Sequence, residues 1–346
     1  MSKVDINIAE IIKDLNNKHK RKIVYLGSED IMSDVKRWVH TGSTMLDIVM
    51  GGGVPIGRIV EIFGDFSAGK STLATHFMIE FQKLGGIVAL IDTETGFDKK
   101  RAQNMGLELN ERFLVFEAMT VEEGFKIILD FLNQLPEDNE VPVLIVWDTV
   151  SNSTTEASKD GDRFGGGLGA VPRLLREGLR VINKQIPLKN ASLVFVNQVQ
   201  ASIGAYVPTV DTNVGGGIKF NASIRLHVKN KGIFKENDNP MGITCGIKVV
   251  KNKLAKPQGY CEQMLRYETG FHDNMSLFYF LSKKEVGVIE GGGAGYWRCP
   301  KFKPDLPSIR SPNIVTFDKW LVDNQGLLEF LQEQLKEHKD MLWKLS

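Results

Sequence analysis

The chain has 346 residues, and its 43 Lys and Arg almost balance its 42 Asp and Glu, giving a formal net charge of +1. Because the net charge is close to zero, it does not indicate whether the protein binds nucleic acid, and only local clusters of basic residues can do so. With 42% hydrophobic and 25% charged residues, the composition excludes a wholly disordered chain. The composition predicts a globular protein, and the length, at ~150 residues per domain, predicts about two domains.

The cysteines and the apolar runs indicate a cytoplasmic protein with no membrane segment. Cys245, Cys261 and Cys299 have no CxxC spacing, so they suit a reducing compartment and predict no zinc site. The longest apolar run, Val141–Trp147, is far shorter than the ~20 residues of a membrane span. Acidic residues interrupt the apolar pattern of the N-terminus, so we expect no signal peptide.

Hydrophobic spacing predicts first a short amphipathic helix within residues 6–20, where Ile8, Ile11, Ile12 and Leu15 share one face. Strands and helices then alternate. The predicted strands are Ile59–Phe63, Gly86–Ile91, Phe113–Glu117, Val143–Trp147, Ser192–Val196, Ala222–Val228 and Thr244–Val250. The predicted helices between them are Ser71–Lys83, Val121–Gln134 and Val171–Gln185. This alternation predicts an α/β fold with a mainly parallel twisted sheet that is covered on both faces.

The pattern changes at about Gly270. Short helical pieces, a proline-rich turn region and a final helix from about Thr316 to the end of the chain predict a small C-terminal α/β domain. We therefore expect an N-terminal segment over 1–37, a core over 38–269 and a small domain over 270–346.

A glycine-rich loop follows the first predicted strand directly and leads into the first predicted helix. Residues 64–71 match GxxxxGK[ST], in which backbone N–H groups surround phosphates and the helix N-terminus faces them. Lys70 is expected to reach the β- and γ-phosphates of ATP, and the Ser71 hydroxyl to ligate Mg²⁺. The predicted nucleotide contacts here are Gly64, Asp65, Phe66, Ser67, Ala68, Gly69, Lys70, Ser71 and Thr72.

Polar residues end three other predicted strands at the same edge of the sheet, where ligands of doubly wound folds collect. Asp148 is expected to hold Mg²⁺ through water as a Walker B aspartate. Glu94 is expected to orient the attacking water; we prefer it to Asp92, because strand alternation points Asp92 away from its neighbours. Gln198 is expected to sense the γ-phosphate. These residues alone predict a P-loop ATPase.

Several segments resemble the RecA family of DNA strand-exchange recombinases. The residues that lead into the phosphate loop have the sequence pattern of that family, at 41–43, 46–47 and 57–62. The further similar blocks are DTETGFD at 92–98, Asn197-Gln198, GGGIKF at 215–220 and KVVKNK at 248–253. The similarity extends from about residue 38 to 270, and it implies a RecA-like ATPase core whose catalytic glutamate is Glu94.

The resemblance implies a homo-oligomeric helical filament on single-stranded DNA, which pairs with homologous double-stranded DNA. ATP would lie between protomers, and the N-terminal segment would dock on the adjacent protomer. Two DNA-binding loops are implied at about 156–168 and 200–217. The implied DNA contacts are Arg163, Arg173, Arg176, Arg180, Ile203, Gly215 and Gly216, with Ile203 as a wedge between base triplets.

The resemblance also assigns Lys251 and Lys253 to the γ-phosphate of the neighbouring protomer's ATP, with Phe220 relaying nucleotide state across the interface. They lie in a stretch, 217–256, that has nine Lys and Arg but two acids.

Two features of the sequence depart from the family pattern. The family usually has an aromatic residue on adenine shortly after Asp98, whereas Lys99-Lys100-Arg101 follows here. Asp98 and Arg101 are therefore expected to contact the nucleotide, with Arg101 stacking on adenine instead. The family's acidic C-terminal tail is absent from this sequence.

Two other functions fit the same core. A hexameric helicase or other motor would need an additional domain for which the chain has little room. A recombinase paralogue with weak catalysis would bind ATP and DNA mainly as a regulator, and the presence of Glu94 and Lys251 argues against it.

Overall fold

The structure is a computed structural model that describes residues 7–20, 22–26, 28, 34–156, 170–201, 210–212, 216–236, 238–291, 295–310 and 312–344. By its internal contacts the chain divides into two units, residues 1–36 and residues 37–346. In the first unit, helix α1 spans Ile8–Lys18 and begins at Asn7, whose side chain accepts a hydrogen bond from the backbone N–H of Glu10. The predicted N-terminal helix is thus confirmed.

The second unit is an α/β structure. Its strands are β1 Trp38–Val39, β2 Val54–Pro55, β3 Ile59–Gly64, β4 Ile87–Asp92, β5 Phe113–Phe116, β6 Val143–Asp148, β7 Ala191–Ala201, β8 Val210–Thr212, β9 Ile224–Glu236, β10 Asn239–Asn252, β11 Tyr260–Arg266, β12 Gly270–Phe271, β13 Glu290–Gly291, β14 Tyr296–Arg298 and β15 Ile309–Arg310. Its helices are α2 Thr44–Met50, α3 Lys70–Lys83, α4 Lys99–Asn104, α5 Val121–Gln134, α6 Ala170–Gln185, α7 Gly216–Asn221, α8 Asp273–Leu281, α9 Ile314–Asp323 and α10 Leu327–Glu337.

The central sheet has the strand order β12-β11-β10-β9-β3-β7-β6-β4-β5, and β8 pairs with β7. The six strands from β9 to β5 run parallel. Strands β10, β11 and β12 continue the sheet in antiparallel pairs. The parallel block carries the continuous apolar runs expected of strands buried on both faces. The predicted mainly parallel α/β sheet is therefore confirmed.

A hydrophobic core lies on each face of the sheet. One contains Leu73 and Phe77 of α3, and the other is built around Trp147 of β6 and Phe195 of β7. Residues of β3 belong to both cores and those of α3 to the first, so the loop between β3 and α3 is held between two largely buried elements.

The C-terminal region differs from the prediction of one final helix. The helix is divided into α9, which ends at Asp323 with Asn324 as its C-cap, and α10, whose N-cap is Gly326 in a left-handed conformation (φ 82°). Beyond Glu337 a short 3₁₀ turn over Lys339–Trp343 replaces the α-helix. The domain boundaries expected at 37/38 and 269/270 stay a prediction. In the part of the chain that is described, no helix is long and apolar enough to cross a membrane.

Candidate nucleotide site and nucleic-acid interface

The loop between β3 and α3 has a backbone path that requires glycine at two points. A side chain at Gly64 would place its Cβ 1.9 Å from the carbonyl oxygen of Val228 on β9. Gly69 has φ +97°, and a Cβ there would lie 2.6 Å from Leu265. Gly69 is the N-cap of α3 and has no side chain, so no capping side chain covers the N–H groups of the first turn. Such a helix N-terminus attracts anions through its N–H groups and its dipole.

Lys70 lies inside this loop with 8% of its surface exposed. Its ammonium group donates a hydrogen bond to the carbonyl oxygen of Asp65 at 2.6 Å. Burial lowers the pKa of Lys70, while the charges of Asp148, Glu94 and Asp65 oppose that shift. The side chain is a partly desolvated cation at the N-terminus of α3, and its positive charge would attract an anionic phosphate group.

Asp148 ends β6 next to the start of α3 and is hydrogen-bonded to the Ser71 side chain. Burial, with the charges of Glu94 and Asp92, raises the pKa of Asp148 from 3.8 to about 6. Its Oδ1 atom is buried and has no hydrogen-bond partner among the described residues. A buried carboxylate oxygen without a partner, beside a hydroxyl, is a set of hard oxygen donors that suits Mg²⁺. The residues present therefore fit the ion.

Glu94 and Gln198 meet at the carboxyl edge of the sheet. The Gln198 amide donates to Glu94 Oε1 at 3.0 Å, and the Thr149 hydroxyl donates to the same oxygen, also at 3.0 Å. Asp92 instead accepts hydrogen bonds from the backbone N–H groups of Glu94, Gly96 and Phe97, which fix the turn after β4. The structure thus brings Glu94 and Gln198 together and gives Asp92 a local structural contact.

A cavity of about 430 Å³ opens beside the phosphate loop. Its walls include the loop residues Ser67–Thr72, together with Arg101, Ile243, Leu265 and Tyr267. The Arg101 guanidinium donates to the Thr72 hydroxyl and to the Tyr267 carbonyl oxygen, both at 2.8 Å. Asp98 caps α4 by accepting from the backbone N–H of Arg101. Arg101 is thereby placed at the mouth of the cavity.

Sequence reasoning missed Tyr267 and Thr149. Tyr267 lines the cavity with 43% of its surface exposed, so an aromatic ring is present although none follows Asp98. No spacing rule connects Tyr267 to the phosphate loop, because strand pairing brings it there. The signal for Thr149 was available: it directly follows Asp148 at the end of an apolar strand.

Lys251 near the end of β10 and Lys253 just after it are displaced from the phosphate loop toward the amino ends of the parallel strands. The ammonium of Lys251 donates to the carbonyl oxygens of Lys219 at 2.6 Å and Phe220 at 3.1 Å, and that of Lys253 donates to Phe220 at 3.1 Å. Burial, together with the charges of Lys253 and Arg225, lowers the pKa of Lys251 to about 8. The Phe220 side chain is 71% exposed. Two cations and an aromatic ring thus share one surface patch.

Strand register shows how far this patch lies from the phosphate loop. Gly64 is paired with Val228 on β9, whereas Lys251 is paired with Arg225, three residues earlier on that strand. At about 3.3 Å per residue, this displaces Lys251 by roughly 10 Å toward the amino ends of the parallel strands. Strand β9 also lies between β10 and β3.

Beneath this patch lies a buried polar network. Glu61 is fully buried in β3, where its carboxylate accepts from the Arg225 guanidinium and, at 2.9 Å, from the Asn197 amide. Arg225 also lies over the Phe63 ring at 4.4 Å. The network crosses three neighbouring strands and ends one residue before Gln198.

The candidate DNA-binding residues are only partly within the described structure. Arg173, Arg176 and Arg180 are exposed on one face of α6. Arg173 forms an ion pair with Glu177 at 3.1 Å. Gly216 is the first residue of α7. Arg163, Ile203, Gly215 and most of the two predicted loops lie outside the described residues.

Comparison with known proteins gives one consistent match. Residues 3–272 match the family model of the RecA N-terminal domain. A Protein RecA from Brucella suis is 37% identical over 279 residues, which are 80% of this chain and 75% of that protein. A Protein RecA from Cereibacter sphaeroides is 35% identical over 279 residues, which cover 80% of this chain and 79% of the relative. Together with the phosphate-loop geometry, these matches show that the chain belongs to the RecA family of recombinases.

Proposed function

We propose that this protein is a DNA-dependent ATPase that forms a helical filament on single-stranded DNA and exchanges strands with homologous duplex. The observation that carries the proposal is the separation of the site into two halves. The groups that we propose to bind phosphate and orient water lie at the carboxyl ends of the parallel strands, whereas the half-buried Lys251 and the exposed Lys253 lie farther toward the amino ends.

ATP is proposed to bind in the cavity beside the phosphate loop, with its phosphates against the N-terminus of α3. Lys70 then exchanges its contact with the Asp65 carbonyl for the terminal phosphates. Ser71 and ionised Asp148 would hold Mg²⁺, which neutralises phosphate charge when bound. Tyr267 and Arg101 offer an aromatic face and a planar cation to the base, both of which stack on nucleobases.

Glu94 is proposed to orient the attacking water for hydrolysis. Its Oε1 atom accepts from both Gln198 and Thr149, so the carboxylate is held in place and kept as an acceptor. A γ-phosphate near Gln198 would compete for the amide donor, and loss of that phosphate would return the amide to Glu94. Because β7 continues past Gln198 to Ala201, this exchange can shift the start of the second predicted loop.

Lys251 and Lys253 are proposed to complete the site of the neighbouring protomer. Their position along the strands puts them out of reach of the phosphates bound to the same chain. Head-to-tail packing would instead bring the two lysines of one copy to the phosphate loop of the next copy. Two cations at the γ-phosphate would stabilise the charge of the transition state in the way of an arginine finger. Hydrolysis then requires assembly.

DNA binding is proposed to rest on backbone phosphates, with sequence read by base pairing. The exposed arginines of α6 and the basic stretch 217–256 supply cations, and the two glycine-rich loops supply adaptable backbone. Binding of this kind is strongly salt-dependent and only weakly sequence-dependent.

The test is the ATPase rate with and without single-stranded DNA, combined with electron micrographs of the same samples. The proposal predicts a DNA-stimulated rate and helical filaments with ATP or a non-hydrolysable analogue. Lys70→Ala should abolish turnover. A DNA-independent rate in a chain that remains monomeric on an oligonucleotide would contradict the proposal, and rings with unwinding activity would favour the motor.

A further inference from the structure

A buried cysteine contacts the phosphate loop from below. Cys245 lies in β10, its surface is fully buried, and its thiol donates a hydrogen bond to the carbonyl oxygen of Ala68 at 3.1 Å. Ala68 is itself fully buried within the loop, directly before Gly69. The contact joins residues 177 positions apart in the chain.

The contact fixes the orientation of one peptide group. The carbonyl of Ala68 and the N–H of Gly69 belong to the same planar trans peptide and therefore point in opposite directions. When the thiol holds the carbonyl oxygen beneath the loop, the Gly69 N–H is directed to the other side, where the loop faces the nucleotide cavity. A flipped peptide would instead present a carbonyl oxygen to a phosphate, which is repulsive.

The neighbouring groups leave this peptide little other support. Leu265 packs beneath Gly69, where an added Cβ would meet its Cδ1 atom at 2.6 Å, but it is apolar and offers no donor. Burial raises the pKa of Cys245 to about 12, so its thiol keeps the proton that it donates. Cys261 of β11 is almost as deeply buried, with 2% of its surface exposed.

We propose that Cys245 is a positioning residue of the nucleotide site, whose thiol sets the Ala68–Gly69 peptide so that the Gly69 N–H faces the bound phosphates. This rests on the proposed nucleotide site in the loop. The residue contacts no substrate, so its effect is on nucleotide affinity and not on the chemical step.

Two pairs of variants of the full chain test the donor separately from the packing. Cys245→Ser has a hydroxyl donor that Cys245→Ala lacks. Cys245→Thr and Cys245→Val have nearly the same shape, and only the Thr side chain has the hydroxyl donor. The measured quantities are the Kd for a fluorescent, non-hydrolysable ATP analogue with Mg²⁺, and the KM and kcat of DNA-stimulated hydrolysis. Cys261→Ala is the matched control for loss of a buried thiol.

We expect Ala and Val at this position to raise the Kd and the KM about three- to tenfold, the net value of one hydrogen bond, with kcat unchanged. Ser and Thr should stay within about twofold of the wild type, since a hydroxyl replaces the donor. Cys261→Ala should lower the Tm and leave the Kd unchanged. Equal Kd values within each pair would overturn the proposal. Where the smaller pair fails to fold, the Thr and Val variants decide.

Failure of this inference is distinct from failure of the proposed function. If Lys70→Ala abolishes nucleotide binding while all four Cys245 variants bind like the wild type, the site stands and the positioning role does not. If Lys70→Ala binds nucleotide normally, the site itself is wrong.

Discussion

Replacing Asp148 by asparagine should stabilise the nucleotide-free protein while removing its function. Burial raises the pKa of this carboxyl from 3.8 to about 6 in the folded chain. The folded state therefore holds the proton more tightly than the unfolded state, and the free energy of unfolding falls as the pH rises from about 4 to about 6. At pH 7.5 the ionised carboxylate then costs about 3 kcal/mol, at 1.36 kcal/mol per pKa unit.

Asp148→Asn removes this charge with little change of shape. We expect the variant to be more stable than the wild type by about 2–3 kcal/mol at pH 7.5 and equally stable near pH 4. The assay is urea unfolding of both proteins across this pH range, in EDTA and without nucleotide. The same variant should lose Mg²⁺-dependent ATP binding, because an amide is a poor substitute for a carboxylate at Mg²⁺.

The reasoning would be refuted if Asp148→Asn were no more stable than the wild type at pH 7.5, or if the stability difference were the same at both ends of the pH range. Asp305→Asn, a change at an exposed aspartate far along the chain, is the control for removing one negative charge. It should shift stability by no more than about 0.5 kcal/mol at either pH.

Three other predictions concern Glu94, Lys251 and the buried pair of Glu61 and Arg225. Glu94→Gln should keep nucleotide affinity within about threefold and lower kcat by at least about 100-fold, since the amide cannot orient and polarise water as a carboxylate does; an unchanged kcat in a DNA-stimulated assay would exclude the assignment. The rate of the assembled wild type should fall as the pH rises above about 8. Burial lowers the pKa of Lys251 to about 8 in the single chain, and the neighbour's phosphate would raise the pH at which the proton is lost. An active Lys251→Arg variant should show a flatter decline, and a decline of equal size would disprove the role of Lys251. Glu61→Ala should lower the free energy of unfolding by about 3–5 kcal/mol, because it leaves the Arg225 guanidinium buried without its carboxylate; circular dichroism during denaturation measures this, and a loss below about 1 kcal/mol would show that the buried pair contributes little.

Local patterns predicted the parallel core well. Helix α5 begins and ends where the spacing places it, and β3, β4 and β6 lie within one residue of their apolar runs. In these elements burial on both faces and flanking turn residues all specify the same structure.

The β9–β10 hairpin was predicted much too short. Lys229, Asn230 and Lys231 are exposed, so they lack the alternation that marks a strand, and the cross-strand pairing that extends the hairpin is not visible in either segment alone. The contact of Cys245 with Ala68 was likewise beyond prediction, because it depends on the register of strands far apart in the chain. Local residue patterns find the chemistry at strand ends but not the groups that pairing brings beneath it.

The most direct measurement for the central claim, that each ATP is acted on by two protomers, is a mixing experiment. Lys70→Ala and Lys251→Ala are each expected to be inactive as pure proteins on single-stranded DNA. In an equal mixture, random head-to-tail assembly leaves about a quarter of the interfaces with both lysines intact, so about a quarter of the wild-type ATPase rate should return. If the mixture stays as inactive as its components although both variants bind DNA and co-assemble, the two lysines do not act across an interface.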